Sequence, residues 1–458
     1  MRSREEVTDV IKAYDVRGIV GESITPELIT DVGAAFGRLM RKEEAHTIAI
    51  GHDMRPSSPE LARAFADGVL SQGMDVLFLG LTSTDQLYFV SGDRDIPGAM
   101  FTASHNPAEY NGIKMCRSGA RPVGQETGLA DIVTNLVEKI PTYHGHPGEL
   151  TEADTLADYA AFLRKLVPLD DIRPLKVAVD AANGMAGLTV PEVFAGLPLT
   201  IEPLYFELDG TFPNHEANPL DPKNLVDLQK FVKETGADIG LAFDGDADRC
   251  FVVDENGDPV SPSAICALIA ERYLKKHPEA TIIHNLITSK AVPEVIAENG
   301  GTAVRTRVGH SFIKSQMAET HTVFGGEHSA HYYFSEFFNA DSGILAAMHI
   351  LAALGNQEKP LSELMASYER YESSGEINTR LESQEEQQER TQAVLDAFAD
   401  RTESVDTLDG VTVQLRDTPA WFSVRASNTE PLLRLNVEAP TKDEVTALVT
   451  EILDIIRK

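Results

Sequence analysis

The chain has 458 residues, enough for about three or four domains with their own cores. Its 42% hydrophobic and 24% charged residues are typical of a globular protein, and its net charge of −31 argues against a nucleic-acid or anionic-membrane partner. The charged N-terminus predicts no signal peptide, and the longest apolar stretch, residues 343–355, predicts a core helix because it is too short to span a bilayer. Three cysteines without metal-binding spacing favour a reducing, cytoplasmic location.

Most of the chain repeats a unit of buried strand, polar loop and helix. Short apolar runs that alternate with helical segments predict α/β units with mostly parallel sheets. The predicted helices here are residues 27–42 and 58–72, and the predicted strands are residues 47–50, 75–79, 96–101, 176–180, 239–243, 250–253 and 281–284.

The last part of the chain follows a different pattern. A polar helix at residues 383–400 and a closing helix at 442–457 flank runs of alternating polarity, which predict a smaller α+β domain with an antiparallel sheet. The alternating runs are residues 411–415, 421–424 and 433–437. Breaks in composition predict domain boundaries that give domains at residues 1–150, 151–256, 257–371 and 372–458.

A polar loop follows the predicted strand at residues 96–101. It reads Thr-Ala-Ser-His-Asn-Pro, and Pro107 disfavours helix just before it, so we expect Ser104 on an exposed turn. A serine at such a corner is a common place for a nucleophile, although the hexapeptide alone is more typical of a polar turn without chemistry. The spacing does not fit the Gly-x-Ser-x-Gly elbow of hydrolases, and Lys114 is close enough in sequence to reach the same loop.

Three aspartates alternate in the hexapeptide Asp-Gly-Asp-Ala-Asp-Arg of residues 244–249, between two apolar runs. The carboxylates of Asp244, Asp246 and Asp248 would repel one another unless a cation lies between them. Oxygen ligands suit Mg²⁺ better than zinc. An EF-hand is excluded because Arg249 stands where that loop needs glycine; a solvated acidic turn is the alternative.

A glycine-rich segment, residues 325–331, carries Glu327, Ser329 and His331 at alternate positions. In an extended loop these side chains would point the same way and could hold vicinal hydroxyl groups, since a carboxylate accepts two O–H donors. A glycine-rich turn with incidental polar residues is the alternative. His310, which precedes this segment, is by itself equally typical of a structural histidine.

The polar loop at residues 425–431 joins two predicted strands of the last domain. Arg425 offers a bidentate guanidinium, Ser427 and Thr429 offer hydroxyls, and the backbone N–H groups of a turn can bind an anion. The pattern predicts a phosphate site, with an ordinary hairpin loop as the alternative.

The sequence lacks the usual motifs for a nucleotide phosphoryl donor. It contains neither a Gly-x-x-x-x-Gly-Lys-Ser/Thr loop nor a Gly-x-Gly-x-x-Gly fingerprint. A serine, a metal-binding loop, a hydroxyl-binding loop and a phosphate site without a nucleotide site together indicate phosphoryl transfer within a sugar phosphate.

These motifs, in this order and spacing, resemble those of the α-D-phosphohexomutase family, and within it the phosphomannomutase/phosphoglucomutase group. Residues 12–18, Lys-Ala-Tyr-Asp-Val-Arg-Gly, resemble the N-terminal signature of that family, so the resemblance covers essentially the whole chain. It implies three mixed α/β domains plus a C-terminal α+β domain similar to the TATA-binding-protein fold, around a central cleft.

The resemblance also implies a reaction. The enzyme would interconvert hexose 6-phosphate and hexose 1-phosphate, with mannose and also glucose as the sugar, through a phosphoserine and a hexose 1,6-bisphosphate. Mg²⁺ is the implied metal, and small-molecule sugar phosphates are the implied partners. Whether the protein is a monomer or a dimer stays open.

Residue roles follow from the same resemblance. Ser104 would carry the phosphoryl group and complete the metal site. Lys114 and His310 match positions used for proton transfer, and a lysine beside cations is expected to titrate low enough for that role. The remaining matches are Arg17, Arg249 and His105 in the catalytic set, Tyr14 beside the transferred group, Glu327, Ser329 and His331 in the sugar loop, and Arg425, Ser427, Asn428 and Thr429 in the phosphate loop.

Three alternatives remain. His328 departs from the residues usual at the centre of the sugar loop, which leaves a phosphoglucosamine mutase open. A Mg²⁺-dependent sugar phosphatase could use Asp244 as its nucleophile, but Ser104 would then have no role. A catalytically silent protein that binds sugar phosphates would need none of the predicted catalytic residues.

Overall fold

The structure is a computed structural model that describes residues 2–12, 15–427 and 432–458, with the backbone alone at residues 310 and 311. The chain divides into two compact units, each taken by itself below. The first unit is Met1–Pro262, Lys314–Phe324 and Ser329–Leu364; the second is Ser263–Ile313, Gly325–His328 and Met365–Lys458.

The N-terminal part of the first unit is built on a mixed sheet. Its strand order is β1-β5-β4-β2-β3-β7, with β6 paired to β5. Strands β2, β3, β4 and β7 are parallel neighbours, whereas β5 runs antiparallel to β4 and β1. The elements are α1 (Arg4–Val10), β1 (Val16–Ile19), α2 (Pro26–Lys42), β2 (Thr47–His52), α3 (Ser58–Ser71), β3 (Asp75–Leu81), α4 (Thr84–Arg94), β4 (Gly98–Phe101), β5 (Tyr110–Arg117), β6 (Arg121–Pro122), α5 (Ala130–Glu138) and β7 (Leu150–Glu152).

A second sheet of the same unit has the strand order β12-β11-β10-β8-β9. Strands β8, β9 and β10 are parallel, and β10 and β11 form an antiparallel hairpin. The elements are α6 (Leu156–Leu166), β8 (Leu175–Asp180), α7 (Ala186–Phe194), β9 (Leu199–Leu204), α8 (Val226–Thr235), β10 (Ile239–Phe243), β11 (Cys250–Val253) and β12 (Pro259–Val260).

The third part of the chain contributes to both units. Strands β13 and β14 pair in parallel in the second unit, and β16 and β17 pair antiparallel in the first. The elements are α9 (Pro262–Lys276), β13 (Thr281–Asn285), α10 (Ala291–Glu298), β14 (Thr302–Thr306), α11 (His310–Thr320), β15 (Phe324–Gly326), β16 (Tyr332–Phe334), β17 (Ala340–Asp341), α12 (Gly343–Gly355) and α13 (Leu361–Met365).

The C-terminal part of the second unit is an antiparallel sheet with the strand order β18-β22-β21-β20-β19. Helices α14 and α15 pack on it through a common core that includes Val394, Phe398 and Ile452. The elements are β18 (Glu372–Arg380), α14 (Gln384–Phe398), β19 (Thr402–Asp406), β20 (Val411–Leu415), β21 (Trp421–Ala426), β22 (Leu432–Ala439) and α15 (Lys442–Ile456).

Local sequence explains where the long helices begin. Thr25 caps α2 by accepting a hydrogen bond from Leu28 N, and Pro26 occupies the first turn, where its missing N–H costs nothing. Ser342 caps α12 in the same way through Leu345 N. Almost every residue of α12 is buried, so the predicted core helix at residues 343–355 is confirmed. In the described part of the chain, none of the helices combines the length and the apolar character needed to cross a bilayer.

Candidate active site

Ser104 lies in the loop that follows β4. The N–H of Ser104 donates to Thr102 Oγ1 (2.9 Å), and the serine backbone has a left-handed φ of 50° that only a turn accommodates. Its Oγ lies 2.9 Å from Asp244 Oδ2 and 3.2 Å from His105 Nδ1. The turn is as predicted, but its exposure is not: Ser104 is only 4% exposed because the loop packs against the aspartate hexapeptide.

The three aspartates occupy the loop between β10 and β11, as predicted. Asp244, Asp246 and Asp248 are buried, and one oxygen from each lies within 4.8 Å of the others. Gly245 allows the serine loop to come this close, since a Cβ there would sit 2.4 Å from the carbonyl oxygen of Ser104. The hairpin and the serine loop therefore form one site, which joins residues 140 positions apart in sequence.

Two cations and a hydroxyl contact the aspartates. Lys114, opposite Met100 in the β4–β5 pair, lies 2.6 Å from Asp246 and also contacts Asp248. The Nε of Arg249 lies 2.9 Å from Asp244 Oδ2. Thr84, which no sequence motif indicated, donates its hydroxyl hydrogen to Asp246; its only sequence signal is a polar run after β3.

The expectation that Lys114 titrates low is wrong in this structure. Burial alone would lower its pKa, but the carboxylates of Asp246 and Asp248 outweigh burial and raise it above the usual value for lysine. Lys114 is beside anions rather than cations, so it is a charged hydrogen-bond donor here. The same ion pair stabilises the ionised form of Asp246. Burial alone would raise the pKa of this carboxyl, but the ammonium of Lys114 lowers it below the usual value.

The aspartate cluster fits a hard divalent cation. Its donors are carboxylate oxygens, which Mg²⁺ prefers. Over the residues that the structure describes, the buried atoms Asp246 Oδ1 and Asp248 Oδ1 have no hydrogen-bond partner. A buried anionic oxygen without a partner is costly, and a bound cation would remove that cost.

Arg17 and His105 flank the serine loop. Arg17 Nη1 donates to Asn106 Oδ1 (2.6 Å), and the guanidinium also pairs with Asp15. Burial and the nearby Arg249 lower the pKa of His105, which favours a neutral imidazole beside Ser104 Oγ. Arg17 thus contacts the serine loop and His105 contacts Ser104 itself, while their catalytic roles stay predictions.

His331 lies next to the aspartate cluster of the first unit. Its Nδ1 is 2.9 Å from Asp341 Oδ2 and 3.9 Å from Asp248 Oδ1. Asp341 in turn lies 2.6 Å from the ammonium of Lys314, so a buried ion pair orients the imidazole. Neither Asp341 nor Lys314 was indicated by a motif, although Asp341 stands only two residues before the predicted core helix.

The expected extended loop at residues 327–331 is wrong. Residues 328–330 form a turn with Ala330 in the left-handed region (φ 65°), so alternate side chains need not share a direction. Ser329 is partly buried in this turn. Glu327, in the second unit, is buried and accepts hydrogen bonds from Asn285 Nδ2 (3.2 Å) and from the N–H of Gly309 (3.4 Å).

The predicted phosphate loop is described only in part. Arg425 is buried and pairs with Glu376 (3.3 Å) and Asp409 (3.5 Å), and Arg434 donates to Ser427 Oγ at 3.5 Å. The guanidinium of Arg425 is thus already engaged with carboxylates. The predicted site residues Asn428, Thr429 and Tyr14 lie outside the described residues, as does the side chain of His310.

Family models match four successive parts of the chain. The phosphoglucomutase/phosphomannomutase alpha/beta/alpha domains I, II and III match residues 8–143, 157–257 and 261–371. The C-terminal domain of the same family matches residues 376–455. The matched segments together cover most of the chain.

Individual proteins are similar along nearly the whole chain. The phosphomannomutase of Salmonella montevideo is 37% identical over 438 residues, which cover 93% of this chain and 94% of that protein. The phosphomannomutase of Methanocaldococcus jannaschii is 36% identical over 452 residues, which cover 98% of each. The crystal structure of a phosphoglucomutase/phosphomannomutase family protein from Burkholderia thailandensis superposes with a TM-score of 0.88 at 30% identity, covering 100% of this chain and 98% of that one.

The family indicated by the relatives and by the domain matches is the same family that the motifs around the site resemble. The serine loop, the buried aspartates and the antiparallel C-terminal sheet occur together in one chain. From these findings we conclude that the chain belongs to the phosphoglucomutase/phosphomannomutase family of α-D-phosphohexomutases.

Proposed function

We propose that this protein interconverts hexose 6-phosphates and hexose 1-phosphates, with mannose and glucose as the sugars. The observation that carries the proposal is the approach of Ser104 Oγ to Asp244 Oδ2 at 2.9 Å, inside a buried cluster of carboxylates and cations. A hydroxyl in this position can carry a phosphoryl group beside a metal site, which a simple hydrolase would not need.

In the proposed cycle, phosphorylated Ser104 donates its phosphoryl group to the free hydroxyl of a bound hexose phosphate. The bond between phosphorus and Ser104 Oγ breaks and a new bond to the sugar oxygen forms. The sugar hydroxyl loses its proton to a base, and Ser104 Oγ takes up a proton and becomes a free hydroxyl. The resulting hexose 1,6-bisphosphate turns over and returns its other phosphoryl group to Ser104. By resemblance, His310 is the candidate for the base.

The charged groups around Ser104 suit a serine that carries a phosphoryl group. A phosphoryl group brings about −1.5 to −2 charges, which the guanidinium of Arg249 and the ammonium of Lys114 would help to offset. Asp244, Asp246 and Asp248 would hold Mg²⁺, which when bound would neutralise part of the charge on the transferring group. Arg17 would steady the loop through Asn106.

Substrate recognition is proposed for the residues matched by resemblance. Glu327, Ser329 and His331 would bind sugar hydroxyls, and the loop of Arg425, Ser427, Asn428 and Thr429, together with Tyr14, would bind the phosphate that is not transferred. Arg425 would have to exchange its carboxylate partners for that phosphate.

We place the enzyme in the cytoplasm, which three buried cysteines without disulfides support.

The test is whether Ser104 is the phosphorylated residue. Incubation with glucose 1,6-bisphosphate and Mg²⁺ should add one phosphate to a peptide containing Ser104, as read by mass spectrometry. Ser104→Ala should remove both the phosphate and the mutase activity, whereas the control Ser118→Ala should keep both. Normal mutase activity in Ser104→Ala would contradict the proposal, and phosphate on Asp244 with release of inorganic phosphate would point to a phosphatase.

A further inference from the structure

Arg55 is a buried arginine that no part of the proposed cycle uses. It follows β2, whose carboxyl end lies beside that of β4 because the two strands are parallel neighbours. The residue is 1% exposed and ranks among the largest fully buried side chains. A buried guanidinium is costly unless its donors are satisfied, so its partners should reveal its role.

The guanidinium of Arg55 contacts the serine loop at four carbonyl oxygens. Nη2 donates to the carbonyl oxygens of Ser104 (3.1 Å) and Asn106 (2.7 Å). Nη1 donates to those of Pro107 (2.8 Å) and Tyr110 (2.9 Å). One side chain therefore holds the loop from its first turn to the start of β5.

The donors on both terminal nitrogens of Arg55 are taken up within the protein. A guanidinium has five N–H donors, and the four on the terminal nitrogens match the four carbonyl oxygens. The fifth donor belongs to Nε, which lies 3.3 Å from Asp53 Oδ2 in a buried ion pair but has no hydrogen-bond partner among the described residues. The four terminal donors are thus assigned within the protein, which separates Arg55 from the arginines proposed to bind phosphate.

The arginine is itself held from two sides. Asp53 Oδ1 accepts hydrogen bonds from the N–H of Arg55 (3.0 Å) and from Ser58 Oγ (2.6 Å). On the other side, the ring of Phe212 lies 5.1 Å from the guanidinium carbon. Gly210 packs on the Arg55 backbone so closely that a Cβ there would sit 2.4 Å from Arg55 Cα.

The loop needs such support because of its backbone. Ser104 adopts a left-handed φ of 50°, which a non-glycine residue holds only when its surroundings impose it. Its carbonyl oxygen points towards Arg55, while its Oγ faces Asp244. Both atoms are attached through the Cα of Ser104, so a shift of that Cα would displace both.

We propose that Arg55 is a positioning residue for phosphoryl transfer: its guanidinium clamps the carbonyl oxygens of the serine loop and so fixes Ser104 Oγ at the aspartate cluster. The proposal rests on the proposed function for its kinetic consequence, but not for its structural one. Lysine at this position could keep the charge beside Asp53 but could not direct donors at four carbonyl oxygens.

The first measurement is hydrogen–deuterium exchange of the peptide covering residues 102–110. In Arg55→Lys this peptide should exchange at least about tenfold faster than in the wild-type protein, because the loop opens more easily. The matched control is Arg63→Lys, on the neighbouring helix α3, where the arginine forms a surface ion pair with Glu152 (2.7 Å). Unchanged exchange in Arg55→Lys would overturn the clamp, whatever the catalytic activity.

The second measurement is single-turnover transfer from phosphorylated enzyme to mannose 1-phosphate. In Arg55→Lys the single-turnover rate should fall by about 10²-fold, because a small misplacement of a reacting group slows transfer by about this factor. The KM, taken from steady-state kinetics, should stay within about threefold of the wild-type value. An effect confined to KM would contradict the proposal, as would a normal rate. If wild-type Ser104 never carries phosphate, the proposed function fails. The exchange measurement alone then tests whether Arg55 holds the serine loop.

A rescue experiment covers the case in which Arg55→Lys does not fold. Arg55→Ala is refolded and assayed with guanidinium or, as a neutral control of similar shape, with urea at the same millimolar concentration. Recovery of phosphoryl transfer by guanidinium and not by urea supports the clamp. If guanidinium does not restore phosphoryl transfer, whether or not the protein refolds, the result contradicts the clamp.

Discussion

Lys114 shows how single residues balance charge in the aspartate cluster. Its ammonium contacts Asp246 and Asp248 at the place where their carboxylates approach each other. Removal of one partner from a buried ion pair leaves an uncompensated charge, which costs about 3–5 kcal/mol. The lysine therefore contributes to the stability of the site.

Lys114→Met should destabilise the metal-free protein by about 3–5 kcal/mol. Added Mg²⁺ should recover part of this loss, because a cation bound to the aspartates replaces the missing charge. Urea unfolding in EDTA and in Mg²⁺ measures both effects, and Lys230→Met, a surface lysine paired with Glu234, is the control. Equal stability of Lys114→Met and wild-type protein in EDTA would refute this charge balance.

Gly245 tests the close approach of the two loops. A methyl group there would sit 2.4 Å from the carbonyl oxygen of Ser104, and backbone cannot give way cheaply. Gly245→Ala should reduce the mutase rate by about 10²-fold or more with the fold retained. Gly124→Ala, whose Cβ would meet only Thr127 Oγ1 at 3.7 Å, should keep the rate. A fully active Gly245→Ala would show that the loops do not meet as described.

The sequence predicted contiguous site residues better than scattered ones. Ser104 and the three aspartates stand in short motifs whose spacing already indicates chemistry. Thr84 and Arg55 have no such motif, because their roles come from contacts with distant parts of the chain. Thr84 contacts a residue 162 positions away, and Arg55 contacts one about 50 positions away. The roles that the resemblance gives to the site residues stay predictions, and for Tyr14, His310, Asn428 and Thr429 the structure describes no side chain.

At the scale of elements, helices α4, α6 and α12 meet at one buried carboxylate. Asp85, in the first turn of α4, accepts hydrogen bonds from Tyr159 of α6 (2.6 Å) and from Ser342 at the start of α12 (2.6 Å), and also from Ser83. Burial raises the pKa of Asp85 to about 6 despite these donors. The folded protein thus binds a proton at Asp85 more readily than the unfolded chain does.

This raised pKa predicts a pH dependence of stability. The unfolded chain ionises Asp85 near its ordinary pKa, whereas the folded protein resists ionisation up to about pH 6, so the contribution of Asp85 to stability is lost as pH rises. Relative to Asp85→Asn, which cannot titrate, the wild-type protein should lose about 1 kcal/mol between pH 5 and pH 7. Urea unfolding of both proteins measures the difference, with exposed Asp93→Asn as the control. A difference independent of pH would contradict the assignment.

The strands of the C-terminal sheet show where patterns of polarity fail. The predicted strands at residues 411–415, 421–424 and 433–437 are confirmed, and they are the three central strands β20, β21 and β22. Strands β18 and β19 were not predicted. They are the edges of the sheet, and their mostly exposed side chains lack the alternation that a half-buried strand shows. Edge strands with polar sequences need a partner strand before they can be recognised.

At the scale of the whole molecule, the fold class follows from the sequence. Parallel strands alternating with helices and an antiparallel C-terminal sheet are confirmed, although the first two sheets also carry antiparallel strands at one side. The domain boundaries at residues 150, 256 and 371 and the central cleft stay predictions.

The overall charge poses a separate question for an enzyme with anionic substrates. The chain has 71 acidic and 40 basic residues, so its general field repels sugar phosphates. The cations of the first unit that contact the site, Arg17, Lys114 and Arg249, therefore have to provide a local attraction.

The central claim is that one chain moves a phosphoryl group between two positions of a hexose without releasing it. Phosphorus NMR of mannose 1-phosphate and glucose 1-phosphate with enzyme, Mg²⁺ and a trace of glucose 1,6-bisphosphate tests this most directly. We expect mannose 6-phosphate and glucose 6-phosphate to appear, dependent on Ser104, without inorganic phosphate. Release of inorganic phosphate, or binding without conversion, would contradict it.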